Sequence, residues 1–112
     1  METNRRELLL EILFVSTASE AEKDDSVIDL ADFDDDEIIQ ALVKASNNNN
    51  VSDKVKGSCG ESLAHIWLRR QDIDYDLLLH LNGIALTEVL SVIKNEKVEW
   101  YENYMQRKTT PF

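Results

Sequence analysis

The chain has 112 residues, three glycines and one proline, and that proline, Pro111, is the penultimate residue. Glycine and proline are the strongest interrupters of helices, so the interior contains almost nothing to break one. Apolar side chains recur mostly at steps of three and four, the period of a helix with one face turned to a core. Together these features predict an all-α fold, a compact bundle of about five to seven helices. A chain of this length supports one core and buries roughly two-thirds of its unfolded surface. With 43% hydrophobic and 30% charged residues, it has the composition of a folding domain rather than of a disordered chain. A single domain over residues 1–112 is therefore expected.

The spacing predicts a first helix over residues 4–18, with Leu8, Ile12 and Val15 beside Leu9 and Leu13 on its apolar stripe and Thr3 or Asn4 as its cap. Residues 19–33 are acidic and sparsely apolar. They read as a loop containing at most a short helical turn, anchored through Val27, Ile28, Leu30 and Phe33. Asp34 and Glu37 match a capping box, and Ile38, Ile39, Leu42 and Val43 then predict a helix over 35–46 that ends in the Asn47–Asn50 run. Ser52 is the expected cap of a helix over 53–70, with Val55, Cys59, Leu63, Ile66 and Trp67 on one face. Gly57, Ser58 and Gly60 would let a neighbour come close. Beyond a turn at residues 71–74, two helices or one bent helix are expected, with a stop at Asn82-Gly83. A short last helix over 96–108 would carry Val98, Tyr101 and Met105 on one face and Trp100 and Tyr104 beside it. The aromatics read as closing the core, although their neighbours Arg107 and Lys108 also suit a binding face.

Charge is distributed unevenly. Residues 1–37 hold 13 acidic and 3 basic side chains, a net of −10, whereas residues 38–112 hold nine of each. Such a chain repels phosphate and anionic head groups, which argues against direct nucleic-acid or membrane binding and for a basic partner. No stretch approaches the ~20 apolar residues of a membrane span. Arg5 and Arg6 ahead of LLLEILFVSTASEA loosely imitate a signal peptide, but Glu11 charges the middle of the apolar segment and argues against insertion. The single cysteine, Cys59, reads as a small buried residue in a reducing compartment, and the cytoplasm is the expected location.

Chemistry-bearing motifs are not recognisable. Starting from Asp24, Asp29, Asp32 or Asp34, no glycine stands at the sixth place that an EF-hand loop requires. His65 lies six residues from Cys59 and fifteen from His80, which is not a zinc spacing. Ser62 lacks the glycine of a nucleophile elbow and Cys59 lacks an identifiable base. No catalytic residue, metal site or cofactor is therefore expected. Capping accounts for one or two of the carboxylates in SVIDLADFDDDEIIQ, and the helix dipole acts only within a turn. The remainder form either a solvated patch serving solubility or a surface complementary to a cationic groove.

The expected pairs 35–70 and 75–107 repeat at roughly the 40-residue spacing of HEAT-type helical repeats. The segment VSDKVKGSCGESLAHIW resembles the second helix of such a repeat, with Asp53, Val55, Lys56, Glu61, Leu63, Ala64 and Ile66 in place, and the similarity as a whole covers about residues 34–95. The segment departs from that pattern at Gly57 and Gly60, where alanine is usual. A small, acidic, helical single-domain chain is also similar to the immunity proteins of bacterial contact-dependent growth inhibition systems. That resemblance implies a cytoplasmic inhibitor that binds one toxin domain, often a nuclease, and blocks its active site; no residue carries over from it. On this view Asp24, Asp25, Asp29, Asp32, Asp35, Asp36 and Glu37 are the candidate contact surface, and reversing Asp35 and Asp36 should impair binding while leaving folding intact. The alternative expectation is a helical-repeat adaptor that takes a peptide or helix in an apolar groove.

Overall fold

The computed structural model describes residues 4–109, in which seven helices and no strands occur. They are α1 (Arg5–Phe14), α2 (Glu20–Leu30), α3 (Asp36–Ser46), α4 (Asp53–Arg70), α5 (Tyr75–His80), α6 (Gly83–Glu96) and α7 (Val98–Thr109). Asn4 caps α1 by accepting from the Arg6 N–H at 2.9 Å; Thr3, the other expected cap, lies outside the described residues. The helix stops at Phe14, four residues short of expectation, because the chain turns there to present Ser19 as the next cap.

Residues 19–33 are not a loop. Ser19 and Glu22 form a reciprocal capping box, with Ser19 Oγ accepting from the Glu22 N–H at 3.1 Å and Glu22 Oε1 accepting from the Ser19 N–H at 2.9 Å. Two orphan donors are thereby satisfied, and eleven residues continue as α2. Val27 and Leu30 are its fully buried anchors, Phe33 is half-buried, and Ile28 stands 54% exposed on the opposite side.

α3 also starts differently from expectation: Asp35 rather than Asp34 is the cap, accepting from the Ile38 N–H at 3.0 Å. The box with Glu37 does not form. Ser52 caps α4 as expected, and Val55, Cys59, Leu63, Ile66 and Trp67 are buried along it.

Contacts across the helices define the architecture. Arg5 at the start of α1 reaches Asp29 and Asp32 at the end of α2, and Asp36 at the start of α3 reaches Arg70 at the end of α4. Each pair is therefore an antiparallel hairpin. Ser58 on α4 donates to Asp24, and Ser62 donates to the Val27 carbonyl at 3.0 Å, so α2 and α4 run side by side in one direction. α6 extends that layer, and the glycines explain how. A Cβ at Gly60 would stand 2.2 Å from the Ala85 carbonyl oxygen, so α4 and α6 meet backbone to backbone and alanine cannot occupy this place. α1 and α3 form the second layer.

One core cluster runs from Leu9 through Leu42, Leu63 and Ile93 to Trp100 and Tyr104. α7 thus closes the core through Trp100 and Tyr104, with Tyr101 and Met105 half-buried and Val98 turned outward at 51% exposure. The stack measures 49 × 27 × 24 Å with a radius of gyration of 14.2 Å. A compact domain of this length would have about 13 Å, so the stacking of hairpins elongates it slightly.

Candidate functional site

The acidic run folds against the chain's own arginines. Two Arg-Arg dipeptides, Arg5-Arg6 and Arg69-Arg70, come from α1 and the end of α4 to meet it. Arg5 Nη2 lies 3.4 Å from Asp32 and 3.8 Å from Asp29. Arg6 makes a two-pronged contact with Asp35, Nε to Oδ2 and Nη2 to Oδ1 at 2.9 Å each, and bridges to Glu37 and Glu7. Arg69 reaches Asp34 at 3.9 Å, and Arg70 reaches Asp36 at 3.2 Å and the Asp34 carbonyl at 3.0 Å.

Of the seven carboxylates expected to face a partner, Asp29, Asp32, Asp35, Asp36 and Glu37 are thus engaged by internal cations. Asp24 is no surface residue at all: it is buried between α2 and α4 and accepts from Ser58 Oγ at 2.5 Å. Asp25 alone is exposed and free of hydrogen bonds and ion pairs among the described residues. Folding onto its own arginines undercuts the acidic run as a bare anionic surface.

An excess of negative charge survives this pairing. Seven carboxylates, Glu7 among them, meet four guanidinium groups, which leaves three uncompensated charges at this corner. The sequence reading missed a further contribution. Asp72 and Asp74 line one polar groove of about 340 Å³ with Asp36, Arg70 and Trp67, and a neighbouring groove with Asp76 and Arg107, so they extend the acidic corner with one further guanidinium beside them. The alternating aspartates of QDIDYD are the available signal, and Asp72 and Asp74 stand in the turn after α4.

The titration behaviour follows the contacts. Asp35 is held below the usual carboxylate range, chiefly by the Arg6 guanidinium and then by the Ile38 N–H, while Arg6 is raised in turn by Asp35 and Glu37. Glu22 is lowered by the backbone N–H and hydroxyl of Ser19. Cys59 is buried, and desolvation, aided by the nearby Asp24 charge, pushes its thiol up to about 12. A thiol held neutral in this way is a packing residue at physiological pH.

Ser62 spends its hydroxyl on the Val27 carbonyl, His65 lies exposed 3.7 Å from Glu61, and His80 turns back to the Asp76 carbonyl. Among the described residues no group of three or more His, Cys, Asp or Glu is placed to hold a metal ion, and no helix is long and apolar enough to cross a membrane.

A second feature lies between α1 and α3. A broad, open groove of about 780 Å³ has Leu10, Phe14, Val15 and Ala41 on its floor and Glu7, Glu11, Glu37 and Lys44 along its rim. Comparison with known proteins finds no matching family model, no similar curated protein and no similar solved structure.

Proposed function

We propose that this chain is a protein-binding module for a basic partner, and specifically an immunity protein that neutralises a cognate toxin domain, a nuclease being the natural basic candidate. The observation that carries this reading is the uncompensated acidity of the corner where α3 begins and α4 ends, extended by Asp72 and Asp74. Negative potential of this kind draws a cationic cleft toward it and accelerates encounter. The contact surface proposed here differs from the one the sequence suggested. Asp24 drops out, Asp35 and Glu37 serve mainly to bind α1, and Asp36, Asp72 and Asp74 face the partner around Arg70.

The test is to co-express this chain with the polypeptide encoded by the adjacent upstream reading frame, whose C-terminal domain the proposal expects to be a toxin. The proposal expects restored growth and a stoichiometric complex that copurifies; a toxin that kills despite abundant folded inhibitor, with no complex formed, would overturn it. A second reading, an adaptor that captures a peptide or helix, is favoured by the apolar floor of the α1–α3 groove. Affinity insensitive to salt would distinguish it from the first.

A further inference from the structure

The groove between α1 and α3 runs between two helices pointing the same way, from Glu7 and Glu37 at one end to Phe14 and Lys44 at the other. Its floor is apolar and accessible, with Phe14 39% and Val15 36% exposed where α1 ends. Its rim is acidic. Lys44, the cation lining it, places its ammonium 5.2 Å from the centre of the Phe14 ring. Glu7 and Glu37 share Arg6, whereas Glu11 has no ion pair among the described residues.

A segment that complements this surface offers an apolar stripe to the floor and a lysine or arginine to Glu11. Two parallel helices with a trough between them present the natural seat for a third, the helix-in-groove mode of recognition. We infer that the groove docks an amphipathic, cationic helical segment of the partner. Its apolar side chains rest on Leu10, Phe14, Val15 and Ala41, and its cation stands beside Glu11.

This rests on the reading that the partner is a basic protein, and it divides the work between two surfaces. The acidic corner governs the rate of encounter, and the apolar groove governs how long the complex lasts.

The probe is a synthetic leucine–lysine amphipathic helical peptide, with a leucine–glutamate peptide of the same pattern as control, titrated into the isotope-labelled full chain and followed by NMR. Shifts should concentrate on Leu10, Phe14, Ala41 and their neighbours, and the glutamate peptide should bind far more weakly. Glu11→Lys should weaken the lysine peptide several-fold. Phe14→Asp should abolish its binding while thermal unfolding shows the fold intact; if that variant fails to fold, the exposed Glu11→Lys carries the test.

Shifts gathered on the acidic corner, equal binding of both peptides, or no shift at all would each overturn the groove assignment. So would movement of the same resonances on dilution without peptide, which would give the groove to a second copy of the chain. A Phe14→Asp chain that still neutralises the toxin as well as wild type would sink the groove alone and leave the immunity reading standing.

Discussion

Arg6 and Asp35, 29 positions apart, are joined by two parallel 2.9 Å hydrogen bonds, and the same carboxylate caps α3 through the Ile38 N–H. One side chain thus fixes both where α3 starts and where α1 lies. Asp35→Ala removes both roles and should destabilise the fold by about 1 kcal/mol through the lost cap alone, within the usual range of ~0.5–2 kcal/mol. Asp35→Asn keeps an acceptor for the cap and should lose less. Urea unfolding of the two variants separates the roles. Charge reversal at Asp35, expected from the sequence to leave folding intact, should therefore destabilise the fold as well.

The pH dependence has a definite sign. Asp35 and Glu22 are both held below the ordinary carboxylate range in the folded chain. Their contribution to stability is complete above that range and is lost as pH falls below it towards their lower folded values. Denaturation midpoints should be flat near neutrality and decline on acidification below the ordinary carboxylate pKa, less steeply in Asp35→Asn. An Asp35→Asn variant with an unchanged acid profile would show that the Arg6 contact has no net worth.

Cys59 behaves in the opposite sense. Its thiol is pushed up to about 12 by burial and by Asp24. The unfolded chain therefore ionises this thiol first, and stability should fall as pH rises from about 9, the ordinary thiol value, towards 12. Thiol reagents should label Cys59 only after denaturation; rapid labelling of the folded chain at neutral pH would contradict its placement.

Gly60 and Gly57 form a matched pair of tests. Alanine favours a helix by about 1 kcal/mol over glycine where space permits. At Gly57 an added Cβ would meet the Ile84 methyl at 3.2 Å, a side-chain contact that can give slightly. Gly57→Ala should therefore be near neutral. At Gly60 the obstacle is the Ala85 carbonyl at 2.2 Å, so Gly60→Ala should cost about 1–3 kcal/mol by overpacking despite its better propensity.

Asp24 and Ser58 test whether that carboxylate is structural. Ser58→Ala leaves a buried acceptor without its 2.5 Å donor and should cost about 1–3 kcal/mol in urea unfolding. An unchanged midpoint would show that the Ser58 bond to Asp24 has no net worth.

The helical class and the course of α3 and α4 were legible because Ile38, Leu42, Val55, Cys59, Leu63 and Ile66 repeat at the helical period and are all buried. α2 was hidden because EAEKDDSV offers little apolar pattern. It is held by the burial of Val27 and Leu30, by the Ser19–Glu22 box and by hydroxyls on α4 that reach Asp24 and the Val27 carbonyl. The box had a readable signature at 19–22, whereas the tertiary partners had none.

Among three consecutive aspartates, Asp34 to Asp36, spacing alone could not single out the cap; the position of Arg6 accompanies the choice of Asp35. The fate of the acidic run turned on arginines far away in sequence, which local composition does not connect. Asp25 kept its expected exposure, and Asp72 and Asp74 joined the corner only once the end of α4 had been placed beside Asp36.

The most direct test of the central claim is the association rate with the toxin domain as salt is raised, measured for the wild-type chain and for Asp72→Lys. Asp72 caps no helix and makes no ion pair among the described residues, so its reversal changes the corner's charge without removing a contact that holds the fold. The account predicts slower association for Asp72→Lys at low salt, a shallower decline with salt, and convergence of the two rates at high salt. Identical rates at every salt concentration, for two equally folded chains, would contradict it.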